Sequence, residues 1–394
     1  MNEEHIILRA PSVSTRDIFS GRPSTRTPFE TLESAAAGLT VEVQNIDRRD
    51  LVDLTRSPDV VAVAANIPMK LIKPFEVQEV LQPTATSVAW GVQAVGADTS
   101  PFTGNGIVVA VLDTGIDATH PAFAGVTLVQ QDFTGEGDGD QDGHGTHCAG
   151  TIFGRAVNGT RIGVAPGVQK ALIGKVIGNE GGSSAGIINA MQWALQNGAN
   201  VMSMSLGIDF PGLVGQLIDQ GMPAELATSQ ALEGYRANVQ LFEKMAQLVR
   251  ASSGFFQTTL LVAAAGNESQ RPRFEIAVSP PAVSDGFISV AALGQNGSTF
   301  SVAPFSNTGA IVSGPGVAVT SAKAGGGLVN MSGTSMATPH VAGVAALWAE
   351  QLKTNGMLTP NSLTARLVAS GVTTNLAVGF DPFDIGTGMV RAPQ

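Results

Sequence analysis

Gly333-Thr334-Ser335-Met336-Ala337-Thr338-Pro339-His340-Val341-Ala342-Gly343 is a glycine-led turn feeding a helix of small residues, and it constrains the fold more than any other stretch. Gly333 permits a sharp turn, Thr334 suits the N-cap, and Ser335 then sits among the free N–H groups of a helix start, where the macrodipole favours developing negative charge. A serine placed there is expected to be exposed to substrate. Pro339 lies close enough to the helix start to cost few backbone hydrogen bonds, and Val341, Ala342, Val344, Ala345, Ala346 and Leu347 keep the next turns apolar. Such a helix belongs inside a core, although a serine at a helix start is in isolation an ordinary cap.

Two other stretches change that weighting. Val108-Val109-Ala110-Val111-Leu112-Asp113-Thr114-Gly115-Ile116-Asp117 reads as a buried strand ending in a carboxylate and a glycine turn. Asp142-Gly143-His144-Gly145-Thr146-His147-Cys148-Ala149-Gly150 brings a histidine onto a helix start. Together with the Ser335 turn, these segments resemble the signature motifs of the subtilisin-like serine peptidases (subtilases), in that family's Asp, His, Ser order.

The resemblance implies Asp113, His144 and Ser335 as a catalytic triad. In it His144 takes the serine proton and Asp113 holds the other ring nitrogen. It also implies that Asn267, in Ala265-Gly266-Asn267-Glu268, supplies an oxyanion-hole amide beside the Ser335 N–H. Substrate would pair as an extended strand with Ser205, Leu206 and Gly207, and the pocket before the cut bond would lie at Ala264, Ala265 and Gly266. Such a pocket favours a large apolar side chain, with Glu268 at its rim able to tolerate a basic one.

Strand-like and helix-like segments alternate through the same region, which predicts an α/β fold with a doubly wound, mostly parallel sheet. The strands are expected at residues 171–176, 201–207, 260–267 and 287–292, with a helix at 184–197. The family pattern is interrupted at about 209–258. There Leu232, Tyr235, Val239, Phe242, Met245, Ala246 and Val249 recur at helical spacing. They predict one or two amphipathic helices over 224–251 after a Pro211-Gly212 loop, serving either as packing on the body or as a wall that restricts substrates.

Residues 1–82 differ in texture from the 83–394 catalytic domain. Strands are expected at 5–9, 39–43 and 60–65 and a short helix at 47–54, with residues 12–31 a polar loop, together a small α+β unit. Its position resembles a subtilase prodomain, which implies an intramolecular inhibitor that lays residues 67–83 through the cleft of a self-processing zymogen. A permanent N-terminal module is the alternative.

Composition limits the remaining readings. The 394 residues carry a formal charge of −10, which argues against nucleic acid or an anionic membrane as partner and leaves protein or peptide substrate. Cys148 is the sole cysteine, so no intrachain disulfide forms. The acidic start and the lack of any apolar run near ~18 residues predict a cytoplasmic protein, with unconventional export left open.

His147 forms an H-x-x-H pair with His144, but without an intervening glutamate or a third ligand this is a poor zinc motif. His120 and His340 are expected to be structural. The resemblance places Cys148 beneath the site, as in the family's thiol-containing branch. No cofactor is required. Asp138, Asp140 and Asp142 are candidates for a weak structural calcium site, against the alternative of a solvated acidic loop. Two rival functions stay open: a non-catalytic binding module, and an esterase or transpeptidase using the same triad.

Overall fold

The computed structural model describes residues 2–9, 40–47, 49–77, 87–252 and 257–394. Its organising element is Val108–Asp113, a strand with both faces covered. Val109 and Val111 point into one apolar layer, and Ala110 and Leu112 into the other. That two-sided burial explains the continuous apolar run in place of an alternation with polar residues.

The strand lies inside an eight-stranded sheet. The order runs Thr299–Val302, Phe287–Asn296, Leu260–Ala264, Val201–Met204, Val108–Asp113, Lys170–Lys175 and Thr127–Asp132, with Val312–Pro315 also pairing with Phe287–Asn296. All pairings are parallel except that of Thr299–Val302. From Val108–Asp113 the chain goes to the edge strand Thr127–Asp132, returns to Lys170–Lys175 between the two, then crosses to Val201–Met204 and builds outward on the other side. This reversal puts a topological switch point at the aspartate strand, and doubly wound sheets hold their ligands at the C-terminal end of such strands.

Helices cover both faces. His144–Phe153 and Thr334–Thr354 belong to the layer containing Val109, while Ser184–Gln196 and the long helix Ala224–Ser252 belong to the layer containing Leu112. Among the described residues, no helix is long and apolar enough to cross a membrane.

Several expectations need correction. The run predicted as one strand at 201–207 divides into Val201–Met204 in the main sheet and Leu206–Ile208 in a separate three-stranded sheet. Pro211 and Gly212 are not loop residues. They lie in the first turn of a helix, Phe210–Asp219, capped by the Asp209 side chain, because proline is well suited to a helix start. The long helix is one 29-residue element, and its first half buries Ala227 and Ala231 while Leu232 is exposed. The reason is that this half packs on Phe210–Asp219 through Leu217 and not on the main sheet.

The N-terminal unit is a three-stranded antiparallel sheet ordered Thr40–Asp47, Asn2–Arg9, Val60–Ala65, with a short helix Leu51–Thr55. The loop expected at 12–31 lies outside the described residues. Ile6, Leu8 and Ala64 of this unit join the apolar layer that holds Phe242 and Met245 of the long helix. Asn238, buried in the same helix, donates to Ala65 O at 2.9 Å. The long helix therefore carries the N-terminal unit on one side and the main sheet on the other.

Phe242 meets Phe287 edge-on with ring centroids 6.2 Å apart, and the two are 0 % and 2 % exposed. Replacing Phe242 by alanine is expected to destabilise the fold by about 3–5 kcal/mol, read as a lower denaturant midpoint by circular dichroism. An unchanged midpoint would contradict this packing.

Candidate active site

Asp113 ends its strand 1 % exposed, and an ionised carboxylate so deeply buried requires partners. It accepts from Thr114 N at 2.8 Å and faces His144 Nδ1 at 2.7 Å. His144 begins its helix after Gly143, with the ring fully buried. Burial pushes the imidazole pKa down, but the neighbouring Asp113 carboxylate and Cys148 together raise it well above 6.5.

The two motifs are tied together by Asp140. One carboxylate oxygen accepts from Thr114 Oγ1 and Gly143 N, each at 2.8 Å, and the other from Thr146 N at 2.8 Å and Thr146 Oγ1 at 2.6 Å. Gly145 packs so closely that a Cβ there would come within 2.2 Å of Gly115 O. Asp140 thus spends both oxygens on protein donors, while Asp138 and Asp142 are exposed. Among the described residues, the cluster with metal-ligand spacing is Asp113, His144 and Cys148, which includes neither Asp138 nor Asp142.

Ser335 lies in the first turn of Thr334–Thr354, but the cap is Gly333 and not Thr334. Thr334 has a different task. Its N–H and hydroxyl donate to Asn267 Oδ1 at 2.8 and 2.9 Å, which turns Asn267 Nδ2 outward to Lys73 O at 3.0 Å. A Cβ on Gly333 would come within 2.9 Å of that nitrogen. The loop carrying Asn267 is braced by Asn307, whose Oδ1 accepts from Glu268 N and Ser269 N and whose Nδ2 donates to Ala265 O. Ala264 ends its strand, and Ala265 and Gly266 follow as buried residues leading to Asn267.

Ser335 is covered, contrary to the exposure expected of it: it is 0 % exposed, beneath residues 68–77 of its own chain. This strap pairs antiparallel with Leu206–Ile208, setting Leu71 opposite Leu206 and Lys70 opposite Gly207. Its opposite edge pairs with Gly182–Ser183. Ile72 N continues the ladder to Ser205 O at 3.3 Å. Past Ser335, Phe75–Val77 pairs with Leu328–Ser332. Residues 78–83 of the expected inhibitory segment lie outside the described residues.

Ser335 Oγ donates to Ile72 O at 2.8 Å, while the Asn267 amide takes the next carbonyl, that of Lys73. His144 Nε2 has no hydrogen-bond partner among the described residues.

The other histidines are anchors. His147 Nε2 meets Val319 O at 3.0 Å, and burial holds its pKa down to about 3. Burial likewise lowers His340 to about 4, with Nδ1 on Met336 O. His120 accepts from Ala122 N and reaches Gly327 O. Burial raises the Cys148 pKa, keeping it a thiol, with Sγ 3.4 Å from Ser335 O.

Comparison with known proteins agrees with this geometry. A family model described as the subtilase family matches residues 104–388. The chain belongs to the subtilase family. Membership makes it a serine endopeptidase, a hydrolase. The subtilase is 33 % identical over 312 residues to a thermostable alkaline protease of Halalkalibacterium halodurans, covering 77 % of this chain and 70 % of that one. It is 32 % identical over 281 residues to subtilisin-like protease 6 of Trichophyton soudanense, covering 66 % of this chain and 57 % of the fungal one. The corresponding protein of Trichophyton verrucosum is 34 % identical over 261 residues, covering 62 % of this chain and 52 % of that one. This subtilase therefore spans little more than half the length of the fungal relatives it matches.

Residue reasoning missed Thr334, Asn307 and the bridging role of Asp140. Thr334 adjoins Ser335, and Asp140 lies three and six residues before Gly143 and Thr146, but the Asp140–Thr114 and Asn307–Glu268 contacts join segments 26 and 39 residues apart.

Two outcomes follow from the site. Asn267→Ala is expected to lower kcat with KM nearly unchanged, and the loss measured for this amide in subtilisin sets the scale at about 10²–10³. A KM effect alone would contradict the oxyanion assignment. In addition, only neutral His144 can accept the serine proton, so kcat/KM is expected to rise with pH through an acid limb centred above 6.5. Asp113→Asn should shift that limb to lower pH in the activity that remains.

Proposed function

We propose that the chain cleaves peptide bonds through an acyl-enzyme on Ser335 and that its N-terminal unit is its own inhibitor. In the reaction, Ser335 Oγ attacks the substrate carbonyl carbon as its proton passes to His144 Nε2. The new oxyanion is held by Asn267 Nδ2 and by the Ser335 N–H, which in the first helical turn lacks an intrahelical acceptor. His144 then gives its proton to the leaving amine, and water repeats the sequence to release the acid. No cofactor enters this scheme.

The observation that carries the inhibitory reading is the one-residue offset of the strap. The ladder ends at Ile72, whose carbonyl receives the Ser335 hydroxyl, yet the oxyanion amide holds Lys73 O. A bond is cut when one carbonyl meets both groups. Neither Ile72–Lys73 nor Lys73–Pro74 satisfies that condition, and the serine proton points at the strap and not at His144. The strap thus occupies the substrate path without being presented as substrate. Maturation then requires a cut outside residues 72–74, for which the neighbourhood of residue 82 is the expected place.

Intact-mass spectrometry of wild type and Ser335→Ala, each treated with a fluorophosphonate after incubation, tests this reading. Wild type should lose an N-terminal segment ending beyond Pro74 and then gain one adduct, and the mutant should do neither. A mass loss ending at Ile72 or Lys73 would overturn the offset argument. A full-length wild type that takes the probe at once would make the N-terminal unit a resident module.

A further inference from the structure

The strap also carries a lysine into the substrate path. Lys70 lies opposite Gly207, and its ammonium sits 3.1 Å from Asp209 Oδ1 and 3.9 Å from Glu268 Oε1. These carboxylates come from opposite walls. Asp209 follows the substrate strand, and Glu268 follows the oxyanion amide.

Both acids are held by groups other than the strap. Asp209 Oδ1 accepts from Gly212 N at 3.2 Å as the N-cap of Phe210–Asp219. Glu268 Oε2 accepts from Asn307 Nδ2 at 2.8 Å, and its N–H is bound to Asn307 Oδ1. With the strap gone, two anchored carboxylates would flank the position opposite Gly207 with no cation between them. An incoming substrate pairing through the same ladder would place a side chain there, and glycine opposite presents none to obstruct it.

We propose that Asp209 and Glu268 form a subsite for a lysine or arginine side chain of the substrate, two residues before the residue whose N–H bonds Ser205 O. The proposal rests on the proteolytic reading above. It adds a basic requirement to a cleft otherwise filled by apolar side chains, since Met69, Leu71 and Ile72 are 2 %, 7 % and 2 % exposed. The carboxylates are about one-third or more exposed, so each pair contributes modestly and responds to salt. The combined preference is expected to be about 3- to 10-fold in kcat/KM for Lys over Ala.

The test uses full-length protein carrying Lys70→Glu, which loosens the strap and should speed fluorophosphonate labelling of Ser335. Fluorogenic peptides of sequence Met-Xaa-Leu-Ile-Ala-Ser, with Xaa Lys, Ala or Glu, are compared on this protein and on the same protein bearing Asp209→Asn and Glu268→Gln. Asparagine keeps the helix cap, and glutamine keeps an acceptor for Asn307. The order Lys above Ala above Glu, flattened in the variant and weakened by salt, is the expected result. Equal cleavage of all three, or no cleavage while Ser335 still takes the probe, overturns the subsite and leaves the serine reactive. Neither cleavage nor labelling overturns the proteolytic reading and the subsite with it.

Discussion

A carboxylate buried at the end of a strand is costly unless a partner answers its charge, and Asp113 meets that condition through His144. Much of the remaining architecture keeps this pair in register. The strand comes from a parallel sheet, the ring from a separate helix, and their approach depends on two glycine-bearing turns lying nearly in contact. Asp140 closes the arrangement from the third side by taking hydrogen bonds from both turns. One acidic side chain fixes the relation between the base and its orienting carboxylate, so its role is positional.

The same logic organises the electrophilic side. An amide can present either end to a substrate, and only the nitrogen is useful for holding an oxyanion. Thr334 donates twice to Asn267 Oδ1, which determines which end faces the cleft, and Thr334 immediately precedes the nucleophile. Ser335 and the Asn267 amide are therefore coupled through Thr334. Asn307 extends this coupling to Glu268, connecting the oxyanion loop to the wall of the substrate path.

Segments that carry their own local physics were legible in the sequence. The apolar run before Asp113, the small-residue helix after Ser335 and the strands of the N-terminal unit follow from periodicity and turn residues acting over a few positions. Contacts between distant segments were not legible. Asp140 read as one acid in a glycine-rich strip, because its bond to Thr114, 26 residues earlier, has no local signal. Pro211-Gly212 is a different case: its cap, Asp209, lies three residues before Gly212, so the helix start carried a local signal that the Pro-Gly pair masked. Ser335 was expected in the open because its cover comes from Ile72, more than two hundred and sixty residues earlier.

The helical interruption of the family pattern acquires a role from what it touches. Its long helix buries Phe242 and Met245 with Ile6 and Leu8 of the N-terminal unit, and its first short helix is capped by the residue that receives Lys70. One inserted segment therefore grips the N-terminal sheet at one end and the strap at the other. Two modest contacts joined by a short linker hold more firmly than either alone, since the second is formed at high effective concentration. Loosening the sheet should then weaken the strap even where no strap residue is altered.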